Sequence, residues 1–125
     1  MSNVTPSPLS ERDYALYVRD MLGFCDAVVE YTSGHDLPSL LADRMRYDAT
    51  LRNLELIGEA ATHVPDAVRE LAPGVPWRQV VGTRNRLAHG YLGVEPETIW
   101  VTVTQYVPGL RIDLLALLDR LQAIG

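Results

Sequence analysis

The side chains best suited to chemistry gather in one stretch. From Leu71 to Val94 there is no Asp or Glu, and the same stretch carries Arg78, Arg84, Arg86 and His89. The chain of 125 residues holds 11 basic and 16 acidic side chains, a net charge of −5. Against that background the stretch is a local positive island, the place for an anionic ligand. Every basic residue is Arg and none is Lys. A guanidinium matches phosphate with two parallel hydrogen bonds, although genomic base composition would produce the same bias. The overall acidity argues against a protein that coats nucleic acid, which would be basic.

On a helical wheel of about 100° per residue, Trp77, Val80, Val81, Leu87, Ala88 and Tyr91 fall on the side of Arg84. Arg84 therefore sits in the middle of an apolar face. A guanidinium there must snorkel, pair or meet a ligand, because an unpaired buried charge is very costly. Two kinds of partner fit equally well. One is internal: helix C-terminal carbonyls, or an acid such as Glu59. The other is a phosphate entering a groove. Asn85 and His89 share a neighbouring face. Gly90 lets the chain leave the helix and puts His89 at its end. There His89 either caps the helix and complements its dipole, or does acid–base work, since an imidazole gives and takes protons near neutral pH.

An Arg and a His around one phosphodiester are sufficient to cleave RNA without a metal. The His moves a proton to or from the 2′-hydroxyl or the leaving 5′-oxygen, and the Arg stabilises charge on the phosphoryl oxygens. Five residues separate Arg84 from His89, about 140° around an ideal helix. They converge if the helix end loosens, if the Arg curls over, or if two chains of a two-fold dimer each supply part of the site.

Other candidates are weaker. A single cysteine, Cys25, excludes an internal disulfide and a Cys-based zinc cluster, and its place on an apolar stripe makes it a core residue. His35, His63 and His89 lie far apart with no His-x-x-x-His pair, so no metal or other cofactor is expected. Trp77 and Trp100 read as packing residues, and Asp43-Arg44 and Arg46-Asp48 as a solvated face.

The elements that must hold these residues are helices. Residues 1–9 are polar and Pro-rich, a flexible leader with no apolar core to make a signal peptide. Residues 10–125 form a single domain. Its first helix starts with Ser10 as N-cap, carries a stripe of Tyr14, Val18, Met21, Cys25, Val28 and Thr32, and stops at Ser33-Gly34. The second is expected from Pro38-Ser39 to about His63, with a stripe of Leu41, Met45, Ala49, Ile57, Ala60 and Ala61. Asn53 falls on that stripe and needs a partner, and Gly58 signals a close helix contact. A short amphipathic turn, Asp66 to Leu71, precedes a third helix from Trp77 to Gly90. The last runs from Pro96 almost to Gly125, with a kink or local break at Pro108-Gly109. Its apolar part contains Pro108, Arg111 and Asp113, which makes a poor membrane span, so a cytoplasmic location is expected. Long helices on short connections mean an all-α, antiparallel bundle of four to five helices.

Arg84-Asn85-Arg86-Leu87-Ala88-His89-Gly90-Tyr91 resembles the signature of the HEPN-domain superfamily: Arg, a polar residue, three more, then His. The Tyr two positions after the His is the form carried by HepT-like toxins. Pro76-Trp77-Arg78-Gln79-Val80-Val81-Gly82 is similar to that family's lead-in, and Arg52-Asn53-Leu54-Glu55-Leu56-Ile57-Gly58-Glu59-Ala60 to its block on the second helix. The resemblance runs from Ser10 onward. It implies a homodimer with the motif at the subunit interface and a metal-independent endoribonuclease acting as the toxin of a toxin–antitoxin pair. It implies as partner a minimal nucleotidyltransferase antitoxin that transfers AMP to Tyr91. By position it makes Arg84 and His89 catalytic and Asn85 supporting, with Arg78 and Arg86 placed for RNA phosphates. A different class of function also fits the residues: a non-catalytic helical module that binds nucleotide or partner and works with a nucleotidyltransferase.

Overall fold

The computed structural model describes residues 11–89 and 94–124. The expected leader, the Ser10 cap and Tyr91 lie outside the described residues. Among the described residues seven α-helical segments follow one another, the last two continuous through a π-helical stretch: α1 (Glu11–Thr32), α2 (Leu37–Ala42), α3 (Arg44–Ala61), α4 (Asp66–Arg69), α5 (Trp77–Ala88), α6 (Pro96–Val101) and α7 (Val107–Ile124). No strand occurs among the described residues, and the fold is all-α, as the apolar periodicity requires.

Helix α1 is the centre of the bundle. Its buried stripe of Val18, Met21, Cys25 and Val28 recurs every three or four residues and faces α3 on one side and α7 on the other. It ends where Gly34 takes a positive φ of 77°, a conformation glycine adopts without steric cost. Contacts between helix ends set the directions. The Arg46 guanidinium donates to the Tyr31 carbonyl (3.1 Å), so α3 begins where α1 ends. At the other end Tyr17 stacks on His63, ring centroids 4.9 Å apart. Helices α1 and α3 are therefore antiparallel. Arg111 of α7 pairs with Asp26 of α1 at 2.5 Å.

The expected second helix is two. Asp43, at φ −100° and ψ 89°, leaves the helical region, and its carboxylate accepts the Arg46 amide at 3.1 Å. An Asp at this position competes for the backbone better as a cap than as a helix interior residue. The restart rotates the apolar stripe. Leu40, Thr50, Leu51 and Leu54 are buried, whereas Leu41 and Met45, expected in the core, are exposed, Met45 at 85%. Asn53 is half-buried and finds its partner in the Ala49 carbonyl, 2.8 Å away.

The last helix also departs from expectation. It does not break at Pro108. One turn earlier, Thr102–Tyr106 widens to a π-helical stretch, with the Val107 amide bonded to the Thr102 carbonyl. Proline lacks the N–H that would continue the α ladder and crowds the carbonyl four residues back. The wider turn relieves both conflicts, and the helix runs on. By length and apolarity the Pro96–Ala123 helix also passes for a membrane span. Ile99, Val103, Val107, Leu114, Leu117 and Leu121 are nevertheless buried in the bundle core.

Cys25 is a core residue. Burial, reinforced by the charge of Asp26 and opposed by that of Arg111, pushes its thiol up to about 12. The caps shift the other way. Asp36 accepts the Ser39 amide at 2.9 Å and Asp43 accepts that of Arg46, which holds both carboxyls below the usual range. A group with a depressed folded pKa stabilises fully above its unfolded value, about 4, and the contribution fades as pH falls through the folded value. Thermal melts from pH 6 to pH 2.5 should show wild type losing stability below about pH 4. Asp43→Asn, which caps without titrating, should lose less.

Candidate functional site

Helix α5 packs on α3 and on little else. It opens at Trp77, which is buried and donates its ring N–H to the Ala72 carbonyl at 3.1 Å. The Arg69 guanidinium lies over that ring, 5.5 Å from its centroid. Arg69 also donates to the carbonyls of Val64 and Ala61, both at 2.9 Å, and so satisfies the C-terminal end of α3. The segment between α3 and α5 is thereby tied to both.

The two helices meet at Gly58. A Cβ there would lie 2.2 Å from the Arg84 Cβ and 2.8 Å from the Val80 carbonyl oxygen. Only glycine lets α5 come this close, which is the contact its place in mid-helix signalled. The approach puts the base of the Arg84 side chain against α3. The guanidinium then reaches the next residue of α3: Nη2 lies 2.6 Å from Oε2 of Glu59, while Nη1 donates to Oδ1 of Asn85 at 2.8 Å. Of the two partners open to Arg84, the internal acid is thus present. It does not exclude a ligand. The side chains of Arg84 and Glu59 are 34% and 45% exposed, and a half-exposed pair is worth roughly 0–1 kcal/mol. Among the described residues two of about five guanidinium N–H donors are engaged, and the others can serve a phosphate.

His89 ends α5. Its amide bonds to the Asn85 carbonyl at 3.3 Å, and its ring Nδ1 lies 2.7 Å from the same oxygen. A carbonyl only accepts, so Nδ1 carries the hydrogen, an assignment made from the partner. The neutral ring then presents the lone pair of Nε2, the atom a general base needs. Arg84 and His89 are not brought together directly. Asn85 joins them, its side chain to the Arg and its backbone to the His. This answers the difficulty of about 140° between them. Arg78 and Arg86 are exposed and, among the described residues, pair with no carboxylate. Tyr91 lies outside the described residues.

Sequence reasoning passed over Arg69 and Thr62, which fall outside the acid-free stretch. Together with Arg78, Val81, Gly82 and Asn85 they line an open depression of about 430 Å³ beside Arg84. Nothing in local sequence brings residues 62 and 69 to the flank of α5; the turn at Pro65 and the cap made by Arg69 do.

Gly58→Ala should move α5 away from α3. Overpacking at a helix contact costs about 2 kcal/mol, against about 1 kcal/mol gained in helix propensity. Urea denaturation should show a net loss, accompanied by a larger loss of any activity that needs Arg84. A variant with unchanged stability would contradict the close approach.

Comparison with known proteins bears on the same residues. The family model described as "Ribonuclease HepT-like" matches residues 21–117. A protein of Methanocaldococcus jannaschii with a provisional RNase assignment is 35% identical over 103 residues, 82% of this chain and 94% of that one. "Probable ribonuclease HepT" of Thermococcus cleftensis is 32% identical over 101 residues, 81% of this chain and 92% of its own. A Caldanaerobacter subterraneus protein with a provisional RNase assignment is 32% identical over 104 residues. No solved structure matches. The model match spans α3, α5 and the Arg84–His89 segment between its bounds, and the chain belongs to the HepT-like ribonuclease family.

Proposed function

We propose that this chain is an endoribonuclease that cuts RNA at the Arg84–Asn85–His89 face without a metal. The carrying observation is the link through Asn85, which holds the guanidinium and orients the imidazole in one hydrogen-bonded unit. In the first step Nε2 of His89 takes the proton of a ribose 2′-hydroxyl. The 2′-oxygen attacks the adjacent phosphorus, and the P–O5′ bond breaks. The departing 5′-oxygen takes up a proton from water, leaving a 2′,3′-cyclic phosphate and a 5′-hydroxyl, and the His89 imidazolium returns its proton to the solvent. Charge builds on the non-bridging oxygens as this occurs, and Arg84 is the group beside it. Glu59 keeps the guanidinium in place before substrate arrives and gives way cheaply. Arg78 and Arg86 contact flanking phosphates.

The same reading makes the protein a toxin that works as a homodimer through the helix carrying Arg84 to Tyr91, so that two islands face one RNA. Its partner is a nucleotidyltransferase antitoxin that transfers AMP from ATP to Tyr91. Nucleotidyl phosphates there would put negative charge where an RNA phosphate must bind, and occupancy and repulsion together would stop cleavage.

Purified protein without the partner should cleave RNA in EDTA and leave cyclic phosphate ends. His89→Ala should reduce the rate by at least about 100-fold, the range for general acid–base catalysis. Equal cleavage by both proteins would sink the proposal. RNA binding with no cleavage by either would favour the non-catalytic module. Incubation with the partner and ATP should raise the intact mass by one or more AMP units, and Tyr91→Phe should abolish the gain. A modified Tyr91→Phe protein would remove this mode of control.

A further inference from the structure

We infer that the depression between α3 and α5 is a second phosphate subsite, which seats a backbone phosphate of the RNA strand beside the one being cut. The inference rests on the ribonuclease reading for the identity of the strand, and on the geometry of the depression for the rest.

Three residues of α5 and its C-cap make one straight face. Arg78, Gly82, Asn85 and His89 are spaced by four, three and four, which keeps them within about 40° of a common line. Three of them line the depression, and the fourth ends the helix with a ring Nε2 that bonds to no described residue. A helix rises about 1.5 Å per residue, so Gly82 lies roughly 10 Å from His89 along the axis and Arg78 roughly 16 Å. A strand laid along this face meets His89 at one phosphodiester and the depression at another.

The lining donates rather than accepts. Arg69 spends its Nη2 on Ala61 at the end of α3 and its Nε on the Val64 carbonyl just beyond, which leaves the N–H groups of Nη1. Its position over Trp77 holds the guanidinium rigid, so little rotamer freedom remains to be lost on binding. Asn85 gives its Oδ1 to Arg84 and keeps its amide N–H groups. Arg78 pairs with no carboxylate among the described residues. Among the described residues no acidic side chain lines the depression. The floor is open because Gly82 has no side chain: a Cβ there would meet nothing within 4 Å. Gly58 is glycine because there is no room; Gly82 faces room that no described residue fills. Two arginines and an amide around an uncovered floor suit a phosphate group, for which bidentate guanidinium contacts are the strongest.

The open floor also supplies the test. Gly82→Glu brings a carboxylate to the depression from a position where its Cβ meets nothing within 4 Å, and Arg78→Ala removes one of its cations. The probe is a fluorescent octaribonucleotide with 2′-O-methyl groups, which cannot be cut at the 2′-oxygen. Fluorescence anisotropy at low salt should show Gly82→Glu binding it about tenfold more weakly than wild type. Arg78→Ala should shift the slope of log K against log salt by about 0.7, the loss of one single-strand phosphate contact. Circular dichroism melts confirm that both variants fold. Binding by folded Gly82→Glu within twofold of wild type, or an unchanged salt slope for Arg78→Ala, would overturn the subsite. The outcome is separate from cleavage. If wild type cuts no RNA but the octanucleotide binds and Gly82→Glu weakens it, the ribonuclease reading fails and the subsite stands.

Discussion

The close approach of α5 to α3 at Gly58 is the constraint on which the site depends. A backbone with no side chain at that one position allows Val80 and Arg84 to press against α3. From there the Arg84 guanidinium reaches Glu59 and Asn85. Had α5 sat farther out, as any larger residue would require, Arg84 would lie on an apolar face with nothing to receive its charge. The guanidinium would then lose the partner on α3 that fixes its position, at little cost in stability because the pair is half-exposed. The interaction that positions the candidate catalytic cation is therefore the same one that docks the helix.

Around that contact the chain separates support from chemistry. Arg69 shows the support. It completes the end of α3, lies over Trp77, and so ties the start of α5 to the end of its neighbour. Charge shows the separation too. The protein is acidic overall, and Asp36, Asp43, Asp48 and Asp26 act as caps or partners of arginines away from α5. On α5, Arg84 pairs with Glu59, whereas Arg78 and Arg86 pair with no carboxylate among the described residues. Such a molecule has no reason to hold nucleic acid broadly, because counterion release needs many phosphate contacts at once. It can grip a few phosphates at one place.

Much of the architecture was legible because it depends on local periodicity. The stripe of α1 and the position of Cys25 followed from three- and four-residue spacing alone. The contact behind Gly58 was signalled by a residue that weakens a helix interior. Where a non-local choice intervened, expectation failed. Asp43 became a cap and rotated the stripe, which exposed Leu41 and Met45. Pro108 was absorbed by a π-helical stretch one turn earlier, because widening the ladder costs less than breaking a helix whose far side is buried against α1.

The sequence by itself determined which residues could do chemistry, that they lie on one helix, and that the helix belongs to an all-α bundle. Residue type, helical spacing and local charge are properties of the chain. Only the tertiary structure decided how they combine. It chose Glu59 for Arg84, made Asn85 the bridge to His89, and brought Thr62 and Arg69 to the flank of α5. The reason is physical. A wheel gives the direction in which a side chain leaves its helix, whereas its partner depends on how closely another helix can approach, and a single glycine on α3 sets that distance.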